Sequence, residues 1–239
     1  MTNSHRISFS EPWIDGAEPM LLAIRQAGLL PFFRNRIPGY SIQDLTRPGY
    51  WFDGEEDALG PWDWKIDCVQ SGDIAYGKFL CGGKASFATV EWYKELRNWR
   101  LATTEPDAAG KEILAYLAEH GTITSKEVRL LLGVKKSAAD AAMGRLQYQC
   151  RIVTGDITRV YRGPELKYVG WQVASYCAPD ALFRADDAFA GFPGFPFASE
   201  SDPLATSLSP EESYEKLLAH IMAVAPGSVS RAEAAKILR

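Results

Sequence analysis

The chain has 239 residues, enough for one large domain or two small ones at roughly 150 residues each. Hydrophobic residues make up 46% and charged residues 23%, a globular composition that excludes a wholly disordered or collagen-like chain. The net charge of −4 excludes a protein coated in positive charge, yet leaves room for a local basic patch.

In chain order, Leu21, Leu22, Ile24, Leu29 and Leu30 predict a helix over Glu18 to Phe33, ending near Gly28 or Pro31. Gly39 to Gly60 reads as irregular and contains Tyr50-Trp51-Phe52 in a row. Next comes Gly60-Pro61-Trp62-Asp63-Trp64-Lys65. Aromatic faces there could stack an extruded base, and Asp63 could stabilise a sugar cation or position water. The competing reading packs Trp62 and Trp64 on the core as a strand or loop, with Asp63 capping or pairing with Lys65. Ala75 to Leu80 and Lys84 to Phe87 predict two strands about Gly82-Gly83. A helix over Thr89 to Leu101 then presents Trp92, Leu96 and Trp99.

The middle of the chain has a denser set of signals. Thr104-Glu105-Pro106-Asp107 supplies a cap, an early proline and an N3 acid before a helix bearing Ile113, Leu114 and Leu117. Thr124-Ser125-Lys126-Glu127 is a capping box, and Gly133 stands where a helix-ending glycine belongs. A third helix is expected from a Ser137 cap, with Asp140 at N3, to Cys150. Ile152 to Thr154 and Ile157 to Tyr161 then flank Gly155-Asp156 as a hairpin. Three helices and a hairpin in this order predict a winged helix, a variant of helix-turn-helix.

The C-terminus repeats the first half of that motif. Gly121 to Val128 matches Gly227 to Ala234, each preceded by an apolar helix, and the second copy carries its own capping box from Ser230 to Glu233. No third helix follows, so the second copy is expected to pack on the rest of the protein or on a protein partner. Between the copies lie Phe183, Phe189, Phe192, Phe195 and Phe197, which predict a strap docked without regular structure.

Charge is distributed unevenly. From Asp53 to Asp73 seven acids face one lysine, a balance of −6. From Lys126 to Lys167 nine bases face four acids, giving +5, and from Asp180 to Glu215 eight acids face one arginine, giving −7. A basic middle between acidic flanks marks either a nucleic-acid site or an internal clamp. The candidate DNA-binding residues are Lys126, Lys135, Lys136, Arg145, Arg159 and Arg162. An alanine-rich third helix is a poor reader of base edges, which favours non-sequence-specific or structure-selective binding. Cys68, Cys81, Cys150 and Cys177 form no CxxC pair, and His5, His120 and His220 show no ligand spacing, so no metal and no cofactor is expected. No apolar run approaches the roughly 18 residues of a membrane span, and Met1 to Trp13 lacks a signal-peptide core. The expectation is a cytoplasmic protein without a membrane partner.

Tyr76 to Arg100, a hairpin plus an aromatic helix, resembles a stretch of the AlkZ/YcaQ-type DNA glycosylases. Lys111 to Gly121 and Arg145 to Arg162, ending in Arg159-Val160-Tyr161, resemble that family's central winged helix. The likeness covers roughly residues 60 to 175, and the chain looks most like the short AlkZ-related group of bacterial proteins. It implies a DNA-repair-type fold built on winged helices. The family's catalytic signature is Gln-x-Gln or Gln-x-Asp upstream of the hairpin, and no such triplet occurs before Tyr76. Gln43-Asp44 lacks the spacer, and Gln147-Tyr148-Gln149 lies at the end of the third helix of the central motif.

The resulting expectation is an α+β protein with a winged helix-turn-helix core, an N-terminal α/β-hairpin region and a C-terminal helical half-repeat. Its boundaries are 1–102, 103–176, 177–212 and 213–239. The function expected is DNA binding without the family's usual catalytic motif. The rivals are an active base-excision glycosylase using Asp63, with Trp62 and Trp64 as stacking surfaces, and a protein-interaction module.

Overall fold

The computed structural model describes residues 12–51, 59–183 and 202–239. Helix α1, Ala17–Ala27, stops at Gly28, whose φ of 69° is open to glycine. A Cβ at Gly28 would stand 2.3 Å from the Trp92 ring and 2.8 Å from His220 Nε2. The apolar run therefore changes period there. Leu29–Pro31 is strand β1, not the end of the predicted helix, and its residues pair with the third strand of an antiparallel sheet. Pro31 fits because an edge strand does not need its missing N–H.

Short helix α2, Ile42–Leu45, is capped by Ser41, and a 3₁₀ turn spans Pro48–Tyr50. Helix α3, Pro61–Gln70, starts with proline at N1. Strands β2, Ile74–Leu80, and β3, Lys84–Thr89, form the predicted hairpin about Gly82-Gly83, and the first sheet has the order β1-β3-β2. Helix α4, Val90–Thr103, follows from Thr89.

The middle then runs α5 (Ala108–His120), β4 (Thr122–Thr124), α6 (Ser125–Leu132), α7 (Lys136–Tyr148), β5 (Val153–Arg162) and β6 (Lys167–Cys177). The second antiparallel sheet has the order β4-β6-β5. Asp107, not Thr104, caps α5, its carboxylate accepting from Gly110 N–H at 2.8 Å. The capping box of α6 closes as expected, with Thr124 and Glu127 bonding each other's backbone N–H. Helix α7 begins after Lys135 and not at a Ser137 cap.

The hairpin turn is also elsewhere. Gly155-Asp156 lies inside β5, and the chain reverses at Gly163 to Leu166. Glycine is needed at 155 because β5 bulges there against β6, and a Cβ would meet Cys177 Sγ at 2.9 Å. A glycine demanded by strand proximity mimics the local signal of a turn.

Helix α8, Pro179–Phe183, buries Phe183, while Phe189, Phe192, Phe195 and Phe197 lie outside the described residues. Helices α9, Pro210–Val224, and α10, Arg231–Leu238, form the half-repeat, each with a complete capping box. Their apolar faces are covered by this chain. Leu217, Leu218, Ile221, Ile237 and Leu238 share one core with α1, the first sheet and α4. Glu95 of α4, 1% exposed, accepts from Ser213 Oγ at 2.6 Å and Lys216 Nζ at 2.8 Å. Trp92 stacks on His220 at 3.5 Å. A second, smaller core joins Ile113, Leu117, Ile123, Val128, Met143 and Leu146.

Arg100 joins the parts. Its side chain is buried at 1% exposure and donates to the carbonyls of Tyr148 (2.8 Å), Phe79 (3.4 Å) and Leu238. These sit at the ends of α7, β2 and α10. Replacing it with methionine fills the volume but orphans buried acceptors at about 1–3 kcal/mol each. Arg100→Met is therefore expected to lose about 2–4 kcal/mol in urea unfolding; a loss under about 0.5 kcal/mol, the level of an ordinary surface change, would refute this role.

Candidate functional site

The Trp62-Asp63-Trp64-Lys65 segment is a helical turn, so its side chains spread around an axis instead of alternating about a strand. Trp64 is buried at 6% exposure with its ring 5.0 Å from Tyr50. Trp62 is 41% exposed and sits beside Phe32 (5.2 Å), Phe33 (5.6 Å) and Trp51 (6.2 Å). Asp63 is thus not sandwiched between two stacking faces. It accepts from the hydroxyl of Tyr168, whose pKa is raised by burial and by that bond. Gln172 Nε2 bonds Trp62 O at 2.9 Å and Tyr168 Oη at 2.9 Å. The carboxylate fastens β6 to α3.

Lys65 takes the opposite course from the expected Asp63 pair. Its amine, in a residue only 6% exposed, donates to Trp62 O at 2.8 Å and Gln172 Oε1 at 2.6 Å. It also lies 4.9 Å from the Trp62 ring centroid. Burial drives the pKa down to about 8, against an upward pull from Asp63. The amine lines a cavity of 210 Å³ between α3, β2, α7 and the second sheet, along with Tyr76, Gln147, Thr154, Gln172 and Tyr176.

Gln147 was set aside on its position in the sequence, and the fold brings it to this cavity wall. Its Oε1 accepts from Lys78 N–H at 3.1 Å and its Nε2 donates to Met143 O at 3.2 Å. Gln149 faces elsewhere, donating to Glu105 O at 3.0 Å. The two amides of Gln147-Tyr148-Gln149 do not converge. The involvement of Lys65, Gln147, Tyr168 and Gln172 was not legible locally, because each is brought in by a different element.

The basic residues divide into two groups. Arg145 pairs with Asp107 at 2.7 Å, and Arg159 with Asp67 at 3.4 Å. Lys126, Lys135 and Lys136 are exposed and form no ion pair among the described residues. Arg162, at the end of β5, lies over the exposed Trp171 ring at 4.5 Å. Among the described residues no three His, Cys, Asp or Glu side chains cluster as a metal site, and no helix is long and apolar enough to cross a membrane.

The depressed Lys65 pKa has a signed consequence. Between about 8 and the ordinary 10.5 the folded protein binds fewer protons at this amine than the unfolded chain. The cost of burying the ammonium is full below that window and is relieved as pH rises through it. The melting temperature of the unmutated protein is therefore expected to rise relative to Lys65→Met between pH 7 and pH 10. Parallel melting curves across that range would show the amine to be unperturbed.

No curated protein and no solved structure matches the chain. One family does, described as AlkZ related, and it spans residues 14–239, which takes in both sheets, the cavity wall, the basic helix ends and the C-terminal half-repeat. A match over nearly the whole length places the chain in the AlkZ-related family.

Proposed function

We propose that the chain binds DNA without reading its sequence, using residues 103–176 as a winged helix, and that it has no catalytic centre of the glutamine-pair kind. The start of α7 carries this reading. Lys135 occupies the N-cap with no side-chain cap bond, and no acid lies in the first turn. The first-turn amides of a helix are unsatisfied and its N-terminus carries partial positive charge, an arrangement suited to phosphate. Two exposed lysines there oppose the helix dipole, so helix stability does not explain them.

The rest of the reading follows from the residues around that point. Ser137, Ala138 and Ala141 are the exposed neighbours along α7, and none offers the bidentate contact that reads a base. Arg162 on Trp171 adds a cation at the hairpin end, where a wing would follow the backbone. Arg145 and Arg159 contribute less, because carboxylates already neutralise them. The divergence of Gln147 and Gln149 supports the absence of a glutamine-pair centre. Family membership supplies the DNA context.

Changing Lys135, Lys136 and Arg162 together to alanine is expected to weaken binding to every duplex alike. It should also flatten the dependence of log affinity on log salt by up to about 3, since each lost phosphate contact contributes roughly 0.9. Arg145→Ala should change the slope far less. Titrations of a labelled duplex at several salt concentrations decide this: an unchanged slope in the triple variant, or no binding by the unmutated protein at low salt, rejects the proposal.

A further inference from the structure

The geometry points to Lys65 as an imine-forming amine for the aldehyde of a small sugar phosphate, the open-chain 2-deoxyribose of an abasic site in DNA. The DNA setting rests on the proposed DNA binding; the lysine chemistry does not.

Three observations meet at this amine. It lines a closed-in polar cavity of 210 Å³, below the roughly 300–1,000 Å³ of pockets for drug-sized ligands and suited to a single sugar. The hydroxyls and amides of Tyr76, Gln147, Thr154 and Tyr176 line the same wall, matching a polyol more than an apolar guest. Lys78 lines this cavity and also an open groove of 630 Å³ that includes Arg145, Tyr148, Gly82, Gly83 and Asp140. That groove gives two cations for a phosphate beside the cavity, against one acid.

The amine itself is set up for attack. No carboxylate lies within ion-pair distance among the described residues, and Asp63 is engaged by Tyr168. Trp62 O and Gln172 Oε1 orient the nitrogen through its N–H bonds. The titratable neighbours are Asp63, Tyr76, Lys78, Tyr168 and Tyr176. With its pKa near 8, about a hundredfold more neutral amine is present at pH 8 than for an ordinary lysine at 10.5. A desolvated lysine is a recognised route to Schiff-base chemistry. In the step, the Nζ lone pair adds to the aldehyde carbon and the C–O bond breaks. Both amine hydrogens leave with the oxygen as water, so the C=N bond forms without any change in oxidation level.

The test is reductive trapping at pH 8 on the full chain. One sample receives 2-deoxyribose 5-phosphate and another a duplex with one abasic site, each with sodium cyanoborohydride, whose hydride reduces the imine to a stable secondary amine. Peptide mapping is expected to place the adduct on Lys65 in both samples, at least roughly tenfold above Lys126, Lys135 or Lys136. Lys65→Arg keeps the charge and should abolish the adduct; mapping of the unmutated chain stays decisive if that variant does not fold. Labelling by the free sugar phosphate alone upholds the lysine assignment and overturns its placement on DNA. DNA binding without an adduct, or adducts spread evenly over surface lysines, overturns the assignment while leaving DNA binding intact.

Discussion

A buried guanidinium with no carboxylate to meet it holds the architecture together. Desolvating a cation is expensive unless its donors are satisfied. Arg100 meets that demand with main-chain carbonyls, and two of these belong to the last residues of α7 and α10, where helix dipoles place partial negative charge. The ring of Tyr148 lies 3.6 Å from the guanidinium carbon and that of Trp99 4.6 Å away. Because the acceptors come from α7, β2 and α10, the cation is satisfied only when the central helices, the first sheet and the C-terminal half-repeat are all in place. Nearby, Cys81 N–H donates to Ile237 O at 2.8 Å, so the β2–β3 turn itself holds the end of α10.

This arrangement explains why the half-repeat stops after two helices. The first copy packs its helices on α7 and continues into a hairpin. The second spends the same faces on α4 and the first sheet, with Trp99 against Tyr214 at 4.6 Å and Glu95 binding Ser213 and Lys216. Burial resists ionisation of Glu95, yet its lysine and hydroxyl partners hold its carboxyl below the usual range. Equivalent capping boxes thus start helices with different jobs: one leads toward α7, the other closes a core.

The cavity depends on the same joining of parts. Gln172 of β6 reaches α3, where it takes a hydrogen bond from Lys65 and gives one to Trp62 O. Gln147 of α7 reaches β2 at Lys78, and Gly77 beside it leaves room, since a Cβ there would stand 3.3 Å from Gln147 Oε1. Neither glutamine is marked by its neighbours in sequence. Trp62 and Trp64 were marked, but by a spacing that means one face in a strand and different faces in a helix; the Gly60-Pro61 start, with proline at N1 and Asp63 in the first turn, was the local sign of the helix.

By itself the sequence determined what short-range chemistry controls. It set the capping boxes at Thr124, Ser209 and Ser230, the β2–β3 hairpin about Gly82-Gly83, the end of α1 at Gly28 and the likeness to AlkZ-type proteins. These follow from φ preferences, cap bonds and apolar periodicity within a few residues. Only the tertiary structure decided that Gly155 sits in a strand, that Arg145 and Arg159 are neutralised, that Arg100 is buried and that Lys65 lines a cavity. Each of these depends on a partner dozens of residues away, and desolvation and close approach are properties of the assembled core, which no local window of sequence contains.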